Sequence, residues 1–308
     1  MTRARRGRPV HGWIVLDKPR GITSAQAVAA VRRATGAAKA GHGGTLDPLA
    51  TGILPIALGE ATKTVAWAIE GRKVYHFTVR WGEARDTDDA EGTVTATSLV
   101  RPTRDAIETA LARLTGPQMQ RPPTYSALKV GGERAYDLAR DGIEVVHEPR
   151  PVEIDSLRLL AMPDDDHAAF AAVVGRGTYV RALARDLGAL LGTYGHVCEL
   201  RRHAVGRFSL EQAISLDNLV ALGHSAVQSE HLLPVETALD DIPAFALTEA
   251  EAHALRCGQT VTPLRPSDRT RIDQIGDGAT LCAMSDGKLV ALVEIESGGL
   301  RPVRVMNL

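Results

Sequence analysis

Apolar and polar positions alternate cleanly from Val74 to Trp81, with Tyr75, Phe77, Val79 and Trp81 on one face and His76, Thr78 and Arg80 on the other. That period of two predicts a half-buried strand. Tyr75 opens the apolar face, where a phenol either completes the core or looks into a cleft; the pattern alone favours the core. Shorter apolar runs at Gly12–Leu16 and Ile53–Leu58 predict buried strands, and Val152–Leu160 and Ala168–Val174 predict two more around the acidic turn 163–166. Helical spacing appears after Thr23 or Ser24, either of which caps a helix carrying Ala27, Val28 and Val31 and ending at Gly36. Further helices are expected over 60–69, 103–114, 133–140 and 182–191. Beyond a boundary at 234–243, Thr248 with Glu251 signals another helix start, followed by short strands at 281–284, 289–294 and 303–306. The fold class expected is α+β, with a basic arm at 1–10, a large domain at 11–240 and a small, mostly β domain at 245–308.

One stretch fits neither period. Gly41-His42-Gly43-Gly44-Thr45-Leu46-Asp47-Pro48-Leu49-Ala50-Thr51-Gly52 holds four glycines and a proline, which excludes a helix interior. Pro48 keeps Asp47 out of helical geometry. A fixed acid in an open backbone suits a substrate that approaches the main chain, although glycine-rich turns with incidental acids are common.

Composition changes this picture only in part. Of 308 residues, 44% are hydrophobic and 24% charged, as in ordinary globular proteins. No apolar run is long enough to cross a bilayer, and the N-terminus lacks a signal peptide's apolar core. Cys198, Cys257 and Cys282 are too far apart for a metal knuckle and odd in number, so they are expected to be buried thiols in a reducing cytoplasm. The net charge of −1 hides an asymmetry: residues 1–81 carry +9, residues 82–170 carry −7 and residues 171–308 carry −3. The basic segment contains the glycine loop, which favours a polyanionic partner. The acidic run Asp86-Thr87-Asp88-Asp89-Ala90-Glu91-Gly92 resembles a calcium loop superficially, but its twelfth position is Thr97, so a calcium site is not expected.

No zinc spacing, Walker loop, nucleophile elbow or dinucleotide fingerprint is present. Chemistry is therefore expected from ordinary side chains. An ionised aspartate acting on a sugar–base bond needs a cationic neighbour, which Arg181 can supply, and Tyr75 and Tyr179 offer rings to stack a planar base.

Trp13-Ile14-Val15-Leu16-Asp17-Lys18-Pro19, the glycine loop, Leu58-Gly59-Glu60-Ala61-Thr62-Lys63, Pro122-Pro123-Thr124-Tyr125-Ser126-Ala127-Leu128-Lys129 and Gly177-Thr178-Tyr179-Val180-Arg181 through Leu200-Arg201-Arg202 occur in one order over roughly residues 11–210. In that combination the chain resembles the TruB family of bacterial tRNA pseudouridine synthases. Gly43 and Thr124 depart from the family's usual threonine and methionine; neither touches the acid. The tail resembles, more weakly, a reduced PUA-like RNA-binding domain.

The resemblance implies a pseudouridine-synthase fold with a large mixed, mainly antiparallel sheet. It implies isomerisation of uridine 55 in the T-loop of tRNA by base flipping. Asp47 would be the catalytic aspartate, Arg181 its ionic partner and Tyr75 the stacking residue with a part in proton transfer. Tyr179 and Leu200 would line the uracil pocket, and His42 would wedge into the T-loop. Lys18 and Lys129 are further expected substrate contacts. The partner would be the tRNA T-arm, with no cofactor, metal, guide RNA, membrane or obligate protein partner, in a monomeric cytoplasmic enzyme. The competing expectations are an RNA-docking protein that no longer turns over and the guide-dependent synthase of the same superfamily.

Overall fold

The computed structural model describes residues 7–308 except 127, 137–142, 144, 229 and 264. Its centre is a ten-stranded sheet. The main path runs Ile214–Ser215, Gly12–Lys18, Thr51–Leu58, Gly195–Val205, Lys73–Trp81, His167–Val174, Arg150–Asp164 and Gly116–Gln120; Ala40–His42 pairs with Thr51–Leu58 and Phe208–Ser209 with Gly195–Val205. Most pairings are antiparallel, but Thr51–Leu58 meets Gly195–Val205 in parallel at only two positions, Thr51↔Arg201 and Gly52↔Arg202. That short seam is where the glycine loop enters the sheet.

Local chemistry explains the elements. In Lys73–Trp81 the odd-numbered residues are buried and the even-numbered ones are more exposed, as its alternation requires. Thr23 caps the helix Ser24–Thr35: its hydroxyl accepts from the Gln26 N–H at 3.1 Å, and the Gln26 side chain accepts from the Thr23 N–H at 2.8 Å. Gly36 ends that helix in the left-handed region at φ 68°. Thr248 caps Glu249–Arg256 with the same reciprocal pair, through Glu251, and Thr103 caps Arg104–Leu114 by its hydroxyl alone, accepting from the Ala106 N–H.

A large apolar cluster packs the helices Ser24–Thr35, Arg104–Leu114 and Val180–Leu190 on the sheet through Val31, Ile107 and Leu183. A second cluster joins Trp13, Val15 and Phe208 of the large sheet to Leu289, Leu292 and Met306 of the tail. The tail is a four-stranded sheet in the order Ala244–Ala246, Thr280–Ser285, Lys288–Glu296, Gly299–Val305, with helices Glu249–Arg256 and Pro266–Ile275.

Several expectations change. The helix expected over 60–69 is a 3-10 turn, Gly59–Lys63, followed by Val65–Glu70; the buried Thr64 hydroxyl donates to the Ala61 carbonyl and turns the chain between them. Glu133–Arg134 pairs with Lys129–Val130 as a hairpin, and the rest of the helix expected over 133–140 lies largely outside the described residues. The arm expected over 1–10 does not reach residue 10: the Arg8 N–H donates to the Gly36 carbonyl at 2.8 Å and Val10 is buried, while residues 1–6 lie outside the description. Cys282 is buried, but Cys257 is exposed because it sits just past its helix end. The boundary 234–243 is packed, with Val235 and Leu239 buried and the Trp13 indole donating to the Val235 carbonyl at 3.2 Å. The helix Pro266–Ile275 gave no sequence signal because Ile272 is its one buried residue. No helix among the described residues is long and apolar enough to cross a membrane.

Candidate active site

Two buried cations shape the glycine loop. Arg202 is 2% exposed, and its guanidinium donates to the carbonyls of Ile53 at 2.8 Å, Gly44 at 3.0 Å and Thr45 at 3.2 Å. Lys18 is fully buried and donates to the carbonyls of Ile22 at 2.8 Å, Pro19 at 2.9 Å and Pro48 at 3.5 Å. Ser24 completes the frame, donating to the Leu46 carbonyl and accepting its N–H at 2.9 and 2.8 Å. Gly52 has a steric reason to be glycine: its φ is 98° and a Cβ would stand 2.1 Å from the Arg202 carbonyl oxygen. The loop therefore presents Asp47, half-exposed, from a backbone whose carbonyls are held by charge-assisted hydrogen bonds.

Asp47 faces Arg181, in the first turn of the helix Val180–Leu190. Arg181 Nε lies 2.9 Å from Asp47 Oδ2 and 3.6 Å from Asp89 Oδ2, between two carboxylates with no well-aligned N–H bond to either. The other guanidinium nitrogens donate at 2.8 Å to the carbonyls of Thr87 and Tyr125. Those four anchors, with the side chain only 6% exposed, fix the plane of the fork.

A cleft of about 290 Å³ opens beside this pair, walled by Tyr75, Tyr179, Leu200, Lys73 and Arg202. Tyr75 and Leu200 are 9% and 8% exposed, so both are parts of the core that show one edge to the cleft. The choice left open for Tyr75 is resolved: the phenol serves core and cleft together. Gln120 clamps the Tyr179 backbone, its amide oxygen accepting the Tyr179 N–H at 2.8 Å and its nitrogen donating to the carbonyl at 3.2 Å. Burial raises the Tyr179 phenol above its ordinary pKa against a hydrogen bond to Ser126, which keeps the hydroxyl protonated.

The structure thus gathers Asp47, Tyr75, Tyr179, Arg181 and Leu200 around one cavity. His42 stands apart, on the strand Ala40–His42 opposite Ile56, and does not line that cleft. The expectation that Lys18 contacts substrate is corrected. With no exposed surface and three backbone acceptors, it holds the loop from beneath. Burial lowers its ammonium to about 8 against the pull of Asp47. The backbone of Lys129 pairs with Arg134; its side chain lies outside the described residues.

Sequence reasoning missed the acidic loop 86–92. It holds no place as a calcium loop; it lies against Gly195–Val205, where Asp89 bridges to Val197, and supplies Thr87 and Asp89 to Arg181. Asp89 is buried and accepts from the Thr87 hydroxyl at 2.6 Å and the Glu91 N–H at 3.0 Å. The available signal was three acids within four residues of a basic-partnered loop, which the calcium comparison did not exhaust.

Comparison with known proteins agrees with this geometry. Residues 32–180 match the N-terminal domain model of TruB family pseudouridylate synthase, and residues 181–240 match the tRNA pseudouridylate synthase B C-terminal domain. The chain is 56% identical over 308 residues to a tRNA pseudouridine synthase B of Rhodospirillum rubrum, covering 100% of both chains. It is 58% identical to its counterpart in Bradyrhizobium diazoefficiens, covering 98% of this chain and 87% of that one. Among solved structures, a Cbf5-Nop10-Gar1 complex is similar with a TM-score of 0.72 at 26% identity, covering 100% of this chain and 90% of that one. The fold is that of the pseudouridine synthases, an α+β sheet with flanking helices and a small, mostly β tail domain. On sequence, fold and the match across both domain models, the chain belongs to the TruB family of pseudouridylate synthases.

Proposed function

We propose that this enzyme converts uridine 55 in the T-loop of tRNA to pseudouridine, with Asp47 as the catalytic aspartate. The observation that carries this reading is the Asp47–Arg181 pair at the floor of a cleft walled by two tyrosines and a leucine. Arg181 pairs with Asp47 at 2.9 Å and fixes its direction. Asp47 starts breakage of the N1–C1′ bond, the uracil turns within the cleft, and C5 bonds to C1′. The C5 proton is lost and N1 gains one, so the isomerisation balances without oxidant, reductant or cosubstrate. Tyr75 stacks on the base, and Tyr179 and Leu200 close around it. A base stacked in a folded loop must first leave its stack at a cost of a few kcal/mol. In this reading His42, on the strand Ala40–His42, fills the gap left in the RNA. The tail, as a PUA-like unit, adds RNA contacts.

Asp47→Asn is expected to abolish tritium release from a T-arm stem-loop labelled at uridine C5 while RNA binding persists. Release at the wild-type rate would remove Asp47 from catalysis. The stem-loop is expected to react with no second RNA present. If it reacts only after a guide RNA is added, the guide-dependent alternative replaces this one.

A further inference from the structure

The four cations along the cleft are not equivalent. Arg181 is committed to Asp47 and Asp89, and Arg202 to three loop carbonyls. Arg176 pairs with Glu70. Lys73 has no carboxylate of the described residues within ion-pairing distance, and its ammonium donates to one acceptor, the Ile69 carbonyl. An ammonium carries three N–H groups, so donors remain for the cleft. Lys73 is nevertheless only 7% exposed, and a desolvated cation without a counter-ion is costly unless something anionic meets it.

Its position gives that something a direction. Lys73 and Tyr75 share a face of one strand, a single pleat of about 7 Å apart. Around Lys73 stand Arg72, Arg176 and Arg202 against Glu70. At the other end of the cleft stands Asp47, and behind Arg181 a neighbouring pocket holds Asp89 and Glu91. One end repels an anion and the other attracts it.

Resting on the function proposed above, we infer that Lys73 binds a non-bridging phosphate oxygen of the target nucleotide. With its base against Tyr75 and its sugar at Asp47, the nucleotide then has one orientation along the cleft. Lys73 is a substrate-positioning residue; it neither makes nor breaks the glycosidic bond.

The test uses the full-length enzyme and three T-arm stem-loops: intact, and with a neutral methylphosphonate in place of the phosphate 5′ or 3′ of the target uridine. Lys73→Met is expected to raise KM for the intact RNA by roughly ten- to a hundredfold, with little change in single-turnover rate. Lys73→Arg should recover most of that loss. One of the two methylphosphonates should cost the wild type a similar factor and cost Lys73→Met nothing more, and its position identifies the phosphate bound. Equal penalties in wild type and variant for both analogues would overturn the assignment, because a purely structural lysine does not couple to a phosphate. A variant-free measurement guards against misfolding of Lys73→Met. Burial, then Arg202, lowers the Lys73 ammonium to about 8, so the wild-type KM for intact RNA should rise as pH passes through that value. KM for the coupled methylphosphonate RNA should stay flat, and a parallel rise for both would also overturn the inference. Failure of the wild type to release tritium from intact RNA would instead overturn the proposed function, and the inference with it.

Discussion

At the scale of single residues, the site depends on which polar groups are buried and what each one meets. Arg181 spreads its guanidinium over two carboxylates and two carbonyls, a task for a planar fork rather than a point charge. Arg181→Lys keeps the charge but loses the fork, so Asp47 loses its direction. The expected result is a fall in single-turnover rate on the order of a hundredfold, with a smaller change in RNA affinity; a near-wild-type rate would remove Arg181 from the mechanism. Lys18 and Arg202 show the same economy beneath the loop, both hydrogen-bonded to backbone carbonyls. Their charge is spent on shape. From sequence Lys18 reads as a substrate contact, and only burial shows that it faces the loop's backbone instead.

At the scale of elements, the acidic loop 86–92 joins the Asp47–Arg181 pair to the sheet. Asp88 accepts from Arg185 at 2.8 Å and holds a left-handed φ of 59°, which asparagine also tolerates. Burial, opposed by Arg185, raises the Asp88 carboxyl from 3.8 to about 6. A folded-state pKa above the unfolded value means that the folded chain binds more protons between the two. The Asp88 contribution to stability therefore falls as pH rises from about 4 to about 6. Asp88→Asn removes that term. The difference in urea midpoint between variant and wild type should shift across this window in the variant's favour as pH rises; a constant difference from pH 4 to pH 7 would refute the assignment. The loop's composition was plain in the sequence, but its purpose was not. Acids serve calcium, solvent or arginine equally well until a partner is placed beside them, and Arg181 lies more than ninety residues downstream.

At the scale of the whole molecule, the tail and the large sheet share one apolar cluster, to which Leu292, Trp13 and Phe208 belong. Leu292→Ala should cost about 3 kcal/mol through lost burial and the cavity left behind. Because the cluster is common to both sheets, unfolding should stay a single transition, with the Trp13 environment and proteolytic access to the tail changing together. An early loss of the tail before the change at Trp13 would show the two units to be independent. Within the large sheet, the parallel seam at Thr51 and Gly52 brings Arg202 beneath the glycine loop.

The sequence by itself determined what short-range chemistry determines. The alternation from Val74 to Trp81, the helix starts at Thr23 or Ser24, Thr103 and Thr248 and the glycines that shape the Asp47 loop all act over a few residues. Its motifs also singled out Asp47, Tyr75, Tyr179, Arg181 and Leu200, which the fold brings to one cleft. Tertiary structure alone decided which cation each acid received, that Asp89 and Thr87 orient Arg181, and that Lys18 faces inward. It also left Lys73 in the cleft with no carboxylate of the described residues within ion-pairing distance. The physical reason is range: propensity and periodicity act along the chain, whereas an ion pair forms between residues that only the packed sheet brings within a few ångströms.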